Sequence, residues 1–204
     1  MGIVEVYVTR REEQKITQSM PALSGAVVVD FCNVCNWAHE VWLNHLELFD
    51  NNPRMAELDK SLAADELNRL FTISQEYSLL QIVKLHDKAV MNGNITIGID
   101  YILTYGRWSD SVRDHLEKLA KELNGFADQL RGVRNKILSH NDLATIIANA
   151  KLGEFSKGDD EKYFKALEEF VNTVHEEVVG DPWSFDDLVK NDVAAFLTTI
   201  KPNE

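Results

Sequence analysis

Apolar residues recur at three- and four-residue spacing along most of this chain, a period that predicts helices. From about 24 to 49, Val28, Phe31, Cys32, Cys35, Ala38, Trp42, Leu46 and Phe49 make one stripe, and the FDNNPR stretch at 49–54 ends it. A second helix is predicted over about 63–90, with Leu67, Leu70, Phe71, Tyr77, Ile82, Leu85 and Ala89 as its apolar side. MNGN at 91–94 is a turn. Ile95, Ile97 and Ile99 then alternate as in a strand, yet Thr96 can cap a short helix reaching Leu103, and the short helix is the favoured reading. Ser109 or Asp110 starts a helix to about 123, with Val112, Leu116, Leu119 and Leu123 inward, and Gly125 separates it from a helix over about 126–147. The polar stretch 151–160 is a loop. Asp159 or Asp160 opens a helix to about 178, carrying Tyr163, Leu167, Phe170, Val171 and Val174 inward. GDP at 180–182 stops it, and Ser184 starts a last helix to about 200.

The product is an all-α bundle of about five main helices with an extra C-terminal helix. It divides into an N-terminal arm (1–23), the bundle (24–180) and a C-terminal helix and tail (181–204). The arm holds the only strand-like alternation outside the Ile-rich stretch, IVEVYV at 3–8. The apolar share is 45% of 204 residues, enough for one buried core. No window approaches the roughly 18–20 apolar residues of a membrane span, and the N-terminus has no signal-peptide pattern. A soluble, cytoplasmic protein with no membrane partner is expected.

Charge changes the picture of partners. The net charge of −12 excludes a non-specific nucleic-acid coat. It is unevenly spread: residues 101–140 hold seven Lys/Arg against five Asp/Glu, whereas residues 154–204 hold thirteen Asp/Glu against five Lys/Arg. A local phosphate site fits on such a chain, with RNA bound weakly or selectively. The acidic end is read as a solvated face, or as a surface that keeps RNA off or docks a basic partner.

Cys32 and Cys35 form one CxxC inside a helical pattern, with His39 on the same face. Zinc would need a fourth ligand or water, and no second pair follows, so two core side chains are expected and no metal or other cofactor. His86-Asp87 suggests an oriented base, but neighbours on a helix point apart, and a structural role is expected. His39, His45, His115 and His175 are read as packing or surface residues. Trp37 and Trp42 are core or dimer anchors before they are base-stacking platforms.

The stretch VRNKILSHND (133–142) gathers chemistry. Arg134 offers a planar fork to phosphate oxygens. His140 titrates near neutrality and suits proton transfer. Asn135 can donate to phosphate or hold the imidazole. On a helix, Phe126, Leu130, Val133 and Ile137 form an apolar stripe with Arg134 on one edge and His140 on the other, roughly 9 Å apart along the axis. Asn135 lies near the opposite face. A kink, or a two-fold dimer that supplies both copies, would bring Arg134 and His140 into one cleft.

RNKILSH, Arg134 to His140, resembles the signature of the HEPN superfamily: Arg, a polar residue, a few more, then His. The order of KLHDKA (84–89), the NITIGIDYIL element, a Leu- and Lys-rich helix and HNDL (140–143) is similar to the HEPN branch named for the U-type abortive-infection phage-defence proteins, over roughly 25–178. The resemblance implies a bundle that dimerises through the motif helix. In active members it implies metal-independent endoribonuclease activity, with 2′-OH attack and a cyclic phosphate product. Carried over, Arg134 and His140 are catalytic, Asn135 supports them and Asp87 is a cleft-wall candidate; beside that, the residue types suggest that Arg131 and Lys136 hold the RNA backbone and that Asp142 positions substrate. RNA, a homodimer partner and an antitoxin protein are the partners so implied. The alternative is a catalytically silent module for dimerisation, nucleotide or protein binding.

Overall fold

The structure is a computed structural model. It describes residues 23–60, 64–133 and 155–199, with the backbone alone at 131–133. In chain order these hold α1 (Gly25–His45), a π-helical turn (Leu46–Asp50), α2 (Met55–Leu58), α3 (Ala64–Lys84), β1 (Val90–Met91), β2 (Asn94–Ile95), α4 (Ile99–Tyr105), α5 (Asp110–Val133), α6 (Asp159–Val178) and α7 (Val189–Thr199). The strand-like segment 3–8 lies outside the described residues.

Ser24, in extended backbone, starts α1, its Oγ accepting from the Val27 N–H at 3.4 Å. The stripe read from the sequence is buried: Val28, Phe31, Cys32, Cys35, Ala38 and Trp42 all lie in the core. α1 is the centre of the bundle, packed by α3, α6 and α7, while α5 packs on α6, α3 and α4. Phe31 and Phe170 meet edge-on at 6.0 Å between α1 and α6. Ser78 Oγ donates to the carbonyls of Ser74 (2.7 Å) and Val41 (3.1 Å), tying α3 to α1. Asn52 closes the turn before Pro53 and α2: its amide donates to the Leu48 carbonyl and its Oδ1 accepts from the Arg54 N–H, both at 2.9 Å. Arg54 in turn donates to the Leu197 carbonyl at 2.8 Å, placing a cation in the last turn of α7.

The architecture is all-α, as expected, with four differences in detail. First, α3 stops at Lys84, and a small hairpin follows instead of a continued helix. Val90 pairs with Ile95 and Met91 with Asn94. Asn92 and Gly93, at φ 53° and 82°, supply the two left-handed residues that a tight hairpin turn requires. Secondly, α4 begins at Ile99 without a cap from Thr96. Its start is set by close backbone approach: the Ile99 N–H donates to the Leu85 carbonyl at 2.9 Å, and a Cβ on Gly98 would lie 2.6 Å from that oxygen. Asp100 Oδ2 accepts from the Ala89 N–H at 2.9 Å and holds hairpin and α4 together.

Thirdly, α5 runs unbroken through Gly125, where a boundary was expected, because Leu123, Phe126 and Ala127 on either side are buried. That packing outweighs the roughly 1 kcal/mol that a helix-interior glycine costs. A Cβ at Gly125 would meet nothing within 4 Å. Gly125→Ala is therefore expected to stabilise the protein by about 0.5–1 kcal/mol, read as a higher urea midpoint at unchanged slope. Fourthly, the C-terminal helix starts at Val189, not Ser184, because Trp183 to Leu188 are held by side-chain bonds: Asn172 accepts from the Trp183 N–H and Asn36 from the Asp186 N–H. Within α3, Leu70 and Tyr77, counted in its apolar stripe, are 47% and 43% exposed. No helix among the described residues is long and apolar enough to cross a membrane.

Candidate functional site

Arg134, Asn135, Lys136, His140 and Asp142 lie outside the described residues, and Arg131 occupies the last turn of α5 with its backbone alone described. What the structure defines is the helix that leads into them and the elements that hold it. Ser109 Oγ accepts from the Val112 N–H at 3.4 Å at the start of α5. Leu116, Leu119, Ala120, Leu123, Phe126, Ala127 and Leu130 then bury one side of it. α5 is thus fixed against the core to within one turn of its end.

A buried polar chain anchors it. His86, just past α3, has Nδ1 2.9 Å from Asn124 Oδ1 on α5 and Nε2 2.9 Å from the Tyr163 hydroxyl on α6. The amide oxygen accepts, so Nδ1 carries a proton and donates to it. Burial pushes the Tyr163 phenol well up, so it keeps its proton and donates to Nε2. Three elements meet at one imidazole, nine residues and roughly 14 Å of helix before Val133. Phe126 packs beside this chain, 4.8 Å from the Tyr163 ring and 5.2 Å from Phe155. The chain therefore leaves the described region from a helix pinned by Tyr163 and re-enters it, at Phe155, against the same helix.

This hub is the feature that sequence reasoning missed. His86 was read as structural, which its burial supports, but nothing in the sequence names Asn124 and Tyr163 as its partners. The signal that was available is a histidine falling on the buried side of a helix end. Asp87 is half-buried beside it.

The other singled-out residues pack as expected or nearly so. Cys32 and Cys35 are free thiols in the core, and burial pushes Cys32 up to about 12 and Cys35 well above its ordinary value. Among the described residues no group of three His, Cys, Asp or Glu is placed to hold a metal. Trp42 is buried; Trp37 is 48% exposed and donates from Nε1 to the Tyr77 hydroxyl at 3.1 Å. His175 donates from Nδ1 to the Asp181 carbonyl at 2.6 Å, closing the end of α6, and His115 lies 3.3 Å from Glu169.

His45 sits among Trp42, Phe49 and Phe71 with Nδ1 3.3 Å from Ser74 Oγ. Burial lowers its pKa, against a smaller opposing effect of Asp50. His39 is lowered too, by burial and then by Lys190, with Asp187 opposing. The unfolded chain therefore takes up protons at both positions before the folded chain does. Stability from these groups is intact above the ordinary value near 6.5 and falls as pH drops below it. Urea midpoints at pH 7.5, 6.0 and 5.0 are expected to fall, and His45→Gln to make the fall shallower; an unchanged slope would sink this assignment.

An open groove of about 500 Å³ runs between α4 and α5, lined by Leu103, Glu117, Lys121, Asn124 and Asp128. Its charges oppose one another, so it is not a phosphate cradle.

A family model of HEPN type, described as AbiU2, matches residues 21–197. The match takes in α1 to α7 and the whole of the 133–142 stretch, and it extends past 178, where the resemblance read from the sequence stopped, through most of the C-terminal helix. No curated protein matches the chain, and no solved structure does.

Proposed function

The chain belongs to the AbiU2 family, a HEPN-like abortive-infection family, and from that membership we propose that it is a metal-independent endoribonuclease of phage defence or a toxin–antitoxin pair. The observation that carries the reading is the family match across RNKILSH, the one stretch with a phosphate-binding fork and a neutral-range proton carrier at the family's spacing.

RNA enters a composite cleft at a homodimer two-fold. Arg134 holds the scissile phosphate and stabilises the charge that develops on it. The 2′-oxygen bonds to phosphorus as the bond to the 5′-oxygen breaks. One proton leaves the 2′-OH and one reaches the 5′-oxygen, and His140 carries a proton in this exchange. Asn135 and Asp142 position the reacting groups, and Arg131 and Lys136 hold the backbone. An antitoxin protein would silence the cleft by covering it.

The test is cleavage of total RNA and of tRNA in excess chelator, wild type beside Arg134→Ala and His140→Ala. Cuts ending in cyclic phosphate, absent from both variants while the oligomeric state is unchanged, are expected. Equal behaviour of the three proteins would leave the chain a silent binding module.

A further inference from the structure

Between α1 and α6 lies a second site, separate from the motif. It is a cavity of about 230 Å³ whose walls include His39 and Trp42 from α1, Phe164 from α6 and Phe185 from the segment before α7. The His39 ring is stacked on Phe185 at 5.0 Å and tilted against Phe164 at 5.1 Å, and Trp42 lies 6.1 Å from Phe164. Asp160, Glu161 and Glu168 bring carboxylates to the same cavity, with Lys165 in its wall and Lys190 near His39 opposing them.

Two further observations point to a ligand. Asp160 is only 9% exposed, and its hydrogen bond here comes from a neutral donor, Trp42 Nε1 at 3.3 Å from Oδ2. Asp160 lies in the first turn of α6, which favours its charge, but its hydrogen bond is from an indole N–H and not from a cation. His39 Nδ1 is buried with no hydrogen-bond partner among the described residues. With its proton on the other nitrogen, it is a lone pair lacking a donor. A ligand that supplies positive charge, several N–H donors and a face for aromatic rings would meet all of these needs. The surrounding field agrees, since residues 154–204 carry thirteen acidic and five basic residues.

We propose that this cavity binds the head group of an organic cation, a guanidinium above all, between the aromatic walls and the Asp160, Glu161 and Glu168 carboxylates. Guanidinium stacks on aromatic faces and forks onto carboxylates, which an ammonium does less well. The cation can be a free small molecule or an arginine side chain of a partner, and the shared chemistry is what the site recognises.

Calorimetric titration of the 204-residue protein with argininamide, with citrullinamide, whose side chain is the uncharged isostere, and with a capped Gly-Arg-Gly peptide tests this, with tryptophan fluorescence as a second signal. Saturable binding of argininamide is expected, with citrullinamide at least about tenfold weaker. Glu161→Gln/Glu168→Gln and Phe185→Ala each are expected to weaken it about tenfold; all three positions lie at the rim or half-buried, where the fold tolerates change. Tighter binding of the peptide assigns the cation to a partner chain, and equal binding assigns it to a free molecule. No saturable binding of either, or binding that ignores the charge of the probe or these substitutions, overturns the proposal.

Discussion

Replacing His140 with alanine is expected to lower RNA cleavage by roughly 10²–10⁴-fold, the usual worth of a positioned proton carrier, without a change in thermal midpoint or oligomeric state. A phosphodiester needs a proton removed from one oxygen and supplied to another, and water does neither well at pH 7. The wild-type rate should show an inflection within about one unit of 6.5, and the residual activity of His140→Ala should lack it. Arg134→Ala is expected to cost at least about 10²-fold through loss of charge stabilisation. Arg134→Lys should recover only part of this, since an ammonium keeps the charge but loses the two-pronged geometry. These variants separate chemistry from folding: a His140→Ala protein cleaving within threefold of wild type would remove histidine from the reaction, whatever the RNA chosen.

Parts of the molecule were legible in the sequence because burial follows period. The α1 stripe and Tyr163, Leu167, Phe170, Val171 and Val174 of α6 lie in the core where their spacing put them. Gly125 misled because a glycine reads the same on an exposed helix flank as at a helix end; only the burial of Leu123, Phe126 and Ala127 tells them apart. The hairpin was hidden because each strand is two residues long, too short for alternation to register, although Asn92-Gly93 marked its turn. In α3 the pattern counted Leu70 and Tyr77, which are largely exposed although Trp37 reaches the Tyr77 hydroxyl, because period alone does not say how far a neighbour covers a stripe. The motif is a reading of residue types and spacing, on residues outside the described ones; the family match covers the stretch that holds it. The polar hub was not, because His86 finds its partners 38 and 77 positions away. Periodicity says which side of a helix is buried, not which polar groups will meet there.

That hub carries the largest stability effect expected from a single polar side chain here. His86→Leu keeps most of the side-chain volume but strips both nitrogens, leaving the Tyr163 hydroxyl, 3% exposed at residue level, without its acceptor. A buried donor so stranded costs about 1–3 kcal/mol, and the lost link to Asn124 adds about 1 kcal/mol, less than a full penalty because Asn124 is half-buried and water can replace the imidazole. A loss near 3 kcal/mol is therefore expected in urea unfolding. Tyr163→Phe, which leaves only the imidazole Nε2 unmatched, should cost less, about 1–2 kcal/mol. The double variant should lose less than the sum of the two, by about 1 kcal/mol, because the hydroxyl and the imidazole cannot each be orphaned once both are gone. Strict additivity would mean that the two groups do not bond. A loss below about 1 kcal/mol for His86→Leu would mean that water takes the place of the imidazole, and that apolar packing, Phe126 against Tyr163 included, holds α5 against α6.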